Sequence, residues 1–265
     1  MGSTRNFEQA IRHCHGEFIA LTDQDDVWHP EKLERLLGAF EPGVGLVFSD
    51  ARVVDKDLNC LGYRLWETAF FGRREQRRVE RGEAFELLLR GNVVTGATMA
   101  FRSAYRDWVM PISPNWVHDG WIAILVAAVS KLRFVRDPLI DYRQHAWNQI
   151  GACKVDYSLH FRNIFQTRTD LIEGLANLYR DVSDHITKRP QVSIPRRRLE
   201  QLEHKITHGQ LRIEVRQGHG RLFPLLGELV SGRYHVYGRG WLSFFKDLLL
   251  WGVRKIRGSR LASDK

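Results

Sequence analysis

Leu21-Thr22-Asp23-Gln24-Asp25-Asp26-Val27-Trp28 is the stretch on which the reading of this chain turns. Apolar Phe18-Ile19-Ala20-Leu21 runs into three carboxylates, and His29-Pro30-Glu31-Lys32-Leu33 then opens a segment with helical spacing. A buried strand that delivers acids at its C-terminal end is a common way to build a cation and phosphate site in an α/β protein. On extended backbone the side-chain period of two puts Asp23 and Asp25 on one side. Two hard oxygen ligands suit Mg²⁺ or Mn²⁺, which complete their shells with water and substrate phosphates. A bare D-x-D also fits a solvated acidic turn; the apolar strand before it and the Pro-led helix after it favour the metal site.

Upstream, Phe7, Ala10, Ile11 and Cys14 recur at helical spacing after Ser3 or Thr4, and Gly16 is a natural stop. Downstream, Pro30 fits the first turn of a helix whose Leu33, Leu36, Leu37 and Phe40 form one apolar face. Residues 44–48 read as a short buried strand ending at Ser49-Asp50, and residues 55–59 as a turn. Helix and strand alternate, which implies a parallel or mixed sheet with helices packed on it. Between residues 62 and 81 the pattern loses regularity, and Arg73-Arg74-Glu75-Gln76-Arg77-Arg78 reads as a mobile basic stretch. A short helix over 83–90 precedes a glycine-bounded loop, 91–98, that feeds a strand and whose small residues would let a ligand approach the backbone. A strongly apolar helix from Trp121 to about Val129 and two short strands, 132–135 and 139–142, complete the region.

After Gly151 the character changes. Phe161, Ile164, Phe165, Leu171, Ile172, Leu175 and Leu178 trace one amphipathic helix, and Leu199, Leu202 and Ile206 a second, which together predict an α-hairpin. The expected division is a sheet domain over 1–152 and a helical region over 153–265. The last segment joins Trp241, Phe244, Phe245, Leu248, Leu249 and Trp251 to Arg254, Lys255, Arg257 and Arg260. Both an interfacial membrane helix and a C-terminal helix docked on the core with a basic tail fit that composition.

Composition bounds the function classes. With 265 residues, 43% of them hydrophobic, the chain is long and apolar enough for a sizeable core. A net charge of +9 favours an anionic partner. Cys14, Cys60 and Cys153 lie far apart with no CxxC spacing, which argues against a disulfide framework and for a reducing compartment. No signal-like segment and no run long enough to span a bilayer is present, so the expectation is a cytoplasmic protein, peripheral on the inner face of the cell membrane. No helix-turn-helix or zinc pattern supports nucleic acid as a partner.

Several pieces then fall in a familiar order. Asn6-Phe7-Glu8, Gly16-Glu17-Phe18-Ile19-Ala20-Leu21, the string from Asp23 to Leu33, Gly96-Ala97-Thr98, His118-Asp119-Gly120-Trp121-Ile122-Ala123 and Tyr142-Arg143-Gln144-His145 together resemble family 2 glycosyltransferases of the GT-A fold. The nearest likeness is to bacterial rhamnosyltransferase-like members that build surface polysaccharides. The resemblance implies an α/β fold, a GT-A-type mixed, mainly parallel sheet flanked by helices, with a C-terminal helical extension. It implies an inverting transfer of a sugar (rhamnose, on the nearest likeness) from a nucleotide-sugar donor to a saccharide or lipid-linked acceptor. Asp23 and Asp25 would be the outer acids of the DxD motif, holding Mn²⁺ or Mg²⁺ on the donor diphosphate, with His145 reaching the metal or the phosphates. Asp119 would be the catalytic base; without the resemblance, an Asp before Gly120-Trp121-Ile122 reads as a helix N-cap. Asp26, Trp28, Gly96, Ala97, Thr98, His118, Trp121, Arg143 and Gln144 would line the substrate site. Taken alone, Trp28 also reads as packing, Arg143 as a surface ion pair and His145 as an ordinary hydrogen-bonded histidine.

Two departures matter. Gly120 follows Asp119 where the family often has a second acid or a Trp. The family's two opening strands, which hold the nucleobase and ribose, have no counterpart in this sequence. An N-terminally truncated sheet with an unpaired apolar edge and severely impaired nucleotide binding is therefore expected. The rivals are a non-catalytic remnant that binds saccharide or a partner, and a phosphohydrolase of the HD type suggested by His118-Asp119. The latter lacks the separate upstream His and downstream Asp that such a site requires.

Overall fold

The apolar run Val44-Gly45-Leu46-Val47-Phe48 becomes the first half of an eleven-residue strand at the centre of the sheet. The computed structural model describes residues 2–144, 169–217 and 222–263. They fall into two compact units, Met1–Val155 with Ser193–Pro195, and Asp156–Val192 with Arg196–Lys265.

Unit one opens with α1 (Ser3–Arg12), β1 (Phe18–Ala20), β2 (Val27–Trp28) and α2 (Lys32–Gly38). The central strand β3 (Val44–Val54) turns at Asp55–Asn59 into β4 (Cys60–Arg64). The Asp55 carboxylate accepts from the backbone N–H groups of Asp57 and Asn59 there, as the turn-forming composition predicts. Three short helices follow: α3 (Leu65–Thr68), α4 (Arg73–Glu80) and α5 (Ala84–Leu88). A 3₁₀ turn at Gly96–Thr98 leads to β5 (Met99–Arg102), α6 (Arg106–Val109), α7 (His118–Val129) and β6 (Lys131–Arg143).

The strand order is β1-β5-β3-β6-β2, with β4 also paired to β3. The sheet is mixed, as expected, but it is not mainly parallel among the described residues. β3 and β6 run parallel, whereas β1–β5, β5–β3, β3–β4 and β2–β6 are antiparallel. β5 lies against the direction of both its neighbours, β4 returns along β3, and β2 runs against β6. Apolar spacing identifies a strand but does not carry its direction. The pair of short strands expected over 132–142 is one strand: Ser49 faces Val135 and Asp50 faces Pro138, so Arg136 and Asp137 bulge out between them. Pro138, which has no N–H to give, sits beside that bulge.

Two helices differ from their sequence reading. α2 buries Leu36 and Lys32, one turn apart, and leaves Leu33 and Leu37 at 43% and 38% exposure, so the face that docks on the sheet is rotated from the Leu33–Phe40 stripe. The basic stretch from Arg73 is not an irregular segment but α4, anchored by buried Val79 and by Glu80, which accepts from Arg136 at 2.8 Å. The apolar α7 is the interior helix of the unit: residues 120–128 are all buried, and the indoles of Trp108 and Trp121 donate to Leu125 O and Val109 O.

Unit two contains α8 (Thr169–Thr187), α9 (Arg196–Gln217), α10 (Leu222–Val230), α11 (Arg233–Tyr237) and α12 (Trp241–Ser263). Val215, Leu225, Tyr234 and Phe244 form its apolar centre. Beside them Asp247, fully buried, accepts from Arg212 and Arg216, both at 2.6 Å, and from the Tyr234 hydroxyl at 2.9 Å. No described helix in either unit is long and apolar enough to cross a membrane.

Candidate active site

β1 ends at Ala20, and Leu21 makes one further backbone bond to Met99 O before the chain leaves the sheet at Asp23. The acidic loop that follows is fastened to the far end of β6. Asp26 Oδ1 accepts from the Arg143 N–H at 2.9 Å, and Arg143 Nε donates to Asp25 O at 2.8 Å. Arg143 also donates to Lys56 O, so its guanidinium bridges the acidic loop and the β3–β4 turn through backbone carbonyls.

Lys32 is the second fastening. Fully buried, its ammonium donates to Ala97 O at 2.7 Å and lies 3.8 Å from the centre of the Trp28 ring. Burial pulls its pKa down to about 8, while the charges of Asp26 and Asp23 oppose that fall. The Trp28 indole donates to Thr22 Oγ1 at 3.0 Å and packs on the cluster around Ile140 and Tyr142.

Ala97 belongs to the same 3₁₀ turn that holds Asp119. Asp119 Oδ2 accepts from the Gly96 N–H at 3.1 Å; Oδ1 accepts from Asn92 Nδ2 at 3.1 Å and from the N–H of Gly120. Asp119 lies within the first turn of α7, whose N-cap is Val117, so it is not the capping residue. Two glycines make this packing feasible. A Cβ on Gly96 would lie 2.7 Å from His118 Nε2, and one on Gly120 would press on the Trp116 ring at 3.2 Å and on Asn92 Nδ2 at 3.3 Å. A bulkier residue after Asp119 would require the Trp116 ring and the Asn92 amide to give by a few tenths of an ångström.

The carboxylates share one electrostatic environment. Burial raises the Asp23 pKa, and Asp25 adds to the rise. Asp26 is pushed up to about 7, by burial first, against the Arg143 N–H bond, with Asp23 and Asp25 adding. Burial pushes Asp119 up to about 6 against its three donors, and the charge of Asp23 adds to it. Tyr142, buried beside them, is held well above its ordinary value by burial and by the charges of Asp23, Asp26, Asp119 and Asp25. All four groups are thus shifted toward their neutral forms, by burial first, with the charges of neighbouring carboxylates adding to it.

Whether a divalent cation fits can be judged from these donors. Asp26 Oδ2 is buried with no hydrogen-bond partner among the described residues, an acceptor left open beside Asp23 and Asp25. Among the described residues, no group of three His, Cys, Asp or Glu residues is arranged to cage an ion there. The acidic loop thus suits a cation that takes one or two carboxylates and fills its shell from phosphates and water, which is how Mg²⁺ and Mn²⁺ bind nucleotides. His145 lies outside the described residues.

Other residues expected at the site have structural roles. His118 is buried, stacked on Phe7 at 3.7 Å, and burial pulls its pKa down to about 4. Trp121 is 1% exposed with its N–H bonded to Val109 O, so it belongs to the core rather than to a sugar-binding surface. Thr98 is likewise buried and donates to Thr95 O. Gln144 is half-buried, and its Nε2 has no partner among the described residues. Conversely, Lys32, Asn92 and Tyr142 are members of the site that residue patterns did not single out. Lys32 and Tyr142 lie inside the quoted motifs, whereas Asn92 carried no signal beyond a glycine neighbour.

Residues 1–109 match the family profile described as Glycosyl transferase family 2, a span that includes the acidic loop and the Gly96 turn and stops before Asp119. An uncharacterized glycosyltransferase of Nostoc sp. (strain PCC 7120 / SAG 25.82 / UTEX 2576) is 26% identical over 151 residues, covering 54% of this chain and 44% of that protein. The chain therefore spans less than half the length of that curated relative. The profile match supports a relationship to family 2 glycosyltransferases over residues 1–109, and the second match is to a protein described as a glycosyltransferase.

Proposed function

We propose that the acidic loop and Asp119 form the active site of an inverting, metal-dependent glycosyltransferase. The donor is a nucleotide-sugar, rhamnose being the sugar the sequence likeness suggests, and the acceptor is a saccharide or lipid-linked saccharide in surface polysaccharide synthesis. The observation that carries the reading is the convergence of Asp23, Asp25, Asp26 and Asp119 around Tyr142, with Asp119 fixed by the same turn that Lys32 ties to the acidic loop.

In this reading Asp23 and Asp25, with the open Oδ2 of Asp26, would hold Mn²⁺ or Mg²⁺. The cation, when bound, supplies charge neutralisation for the departing nucleoside diphosphate. Asp119 in its ionised form takes the proton of the acceptor hydroxyl as that oxygen bonds to the anomeric carbon. The bond from that carbon to the diphosphate breaks on the opposite face, and the diphosphate leaves with the electron pair. Donors from Gly96, Gly120 and Asn92 hold the carboxylate in one orientation for that transfer.

The test is a panel of UDP-, dTDP- and GDP-sugars with a saccharide acceptor, assayed with Mn²⁺ and then with a chelator. One donor is expected to turn over with Mn²⁺ and to stop on chelation, and Asp25→Ala is expected to lose that metal response. Transfer that continues unchanged under chelation would remove the metal from the mechanism.

A further inference from the structure

α12 divides its apolar residues between two faces. Phe244, Leu248 and Trp251 turn onto Val215, Leu225 and Tyr234. Leu242, Phe245, Leu249 and Val253, three and four positions apart, stay 49%, 58%, 52% and 43% exposed. Trp241, also outward, stacks on Phe245 at 5.9 Å. α10 is split in the same way: Leu225 is buried, whereas Phe223 and Val230 are 85% and 89% exposed. One face of the tail therefore docks on the core, and the other carries aromatic and aliphatic side chains into solvent. Apolar exposure on this scale marks an interaction surface.

Charge decides what that surface meets. From residue 222 to 263 the chain has seven Lys or Arg and two acids, Glu228 and Asp247. Both acids are withdrawn into buried bonds. Glu228 is paired with His208 Nδ1 at 2.7 Å and with Arg233, and Asp247 with Arg212, Arg216 and Tyr234. No exposed carboxylate remains in this segment to offset its cations. A second copy of the chain would bring the same excess of cations in this segment, whereas an anionic lipid surface complements both that charge and the apolar stripes.

We propose that the outward faces of α10 and α12 are a docking surface for an anionic lipid bilayer, on which unit two lies with Phe223, Trp241 and Phe245 at the headgroup boundary. This is independent of the transfer reading, because it uses no residue of unit one.

The experiment is co-sedimentation of the full chain with vesicles of phosphatidylcholine alone and of phosphatidylcholine mixed with phosphatidylglycerol. Binding is expected to the mixed vesicles and to weaken as salt is raised. Phe245→Glu with Leu249→Glu is expected to cut that binding at least about tenfold. Phe223→Glu, on the other helix and at a largely exposed position, must weaken it too, which keeps the test open should the double variant misfold. Full binding by variants with unchanged circular dichroism would overturn the proposal, as would failure of the native chain to bind the mixed vesicles. So would light scattering that shows a native dimer made monomeric by the substitutions, which would assign the surface to a second copy.

Discussion

Asp119 accepts three hydrogen bonds and still holds its proton to about pH 6, because burial and the nearby charge of Asp23 outweigh those donors. A general base works in its ionised form, so the sign is fixed: kcat/KM falls on the acid side, about tenfold per pH unit below the apparent pKa, and levels off above it. Initial rates across pH should place that limb near 6 rather than near the ordinary 3.8 of an aspartate. A limb near the ordinary value would mean that Asp119 titrates as an exposed carboxylate. At this scale the acids were legible because a run of carboxylates directly after an apolar strand is an unusual pattern with a chemical reason. Lys32 was not legible, since lysine is rarely fully buried and only the tertiary fold brings Ala97 O and two carboxylates to it.

α2 and the Gly96–Thr98 turn are 58 residues apart in sequence from Gly38 to Gly96 and are joined through a single ammonium. The Lys32→Met substitution keeps the chain's length and apolar stem but leaves the Ala97 carbonyl buried without its donor. It is expected to cost about 1–3 kcal/mol in urea-induced unfolding. A variant with native stability would show that the bond adds nothing beyond what packing already provides. Elements were legible where period and punctuation agreed, as in α1, the Asp55–Asn59 turn and α7. The antiparallel setting of β5 was hidden because direction depends on pairing. α4 was missed because its four arginines outweigh Val79, the one residue it buries. The merger of two expected strands into β6 depends on a bulge that only pairing with β3 reveals.

At the scale of the molecule, unit one carries every described residue of the candidate site, and unit two carries the outward apolar stripes of α10 and α12. Fold class was legible as α/β because strands and helices alternate through the first half, and the helical second half was legible from its longer amphipathic periods. Donor, sugar and acceptor were not, because the acids that would grip a diphosphate are indifferent to the base and sugar attached to it. The claim that joins these levels is that Asp119 removes the acceptor proton in a glycosyl transfer prepared by the acidic loop. The most direct test is the kcat of Asp119→Asn with the donor that the native chain uses best. A loss of about 10²–10⁴-fold with little change in the donor KM is the predicted result, since the amide keeps the shape and can no longer take the proton. An undiminished kcat would contradict the account.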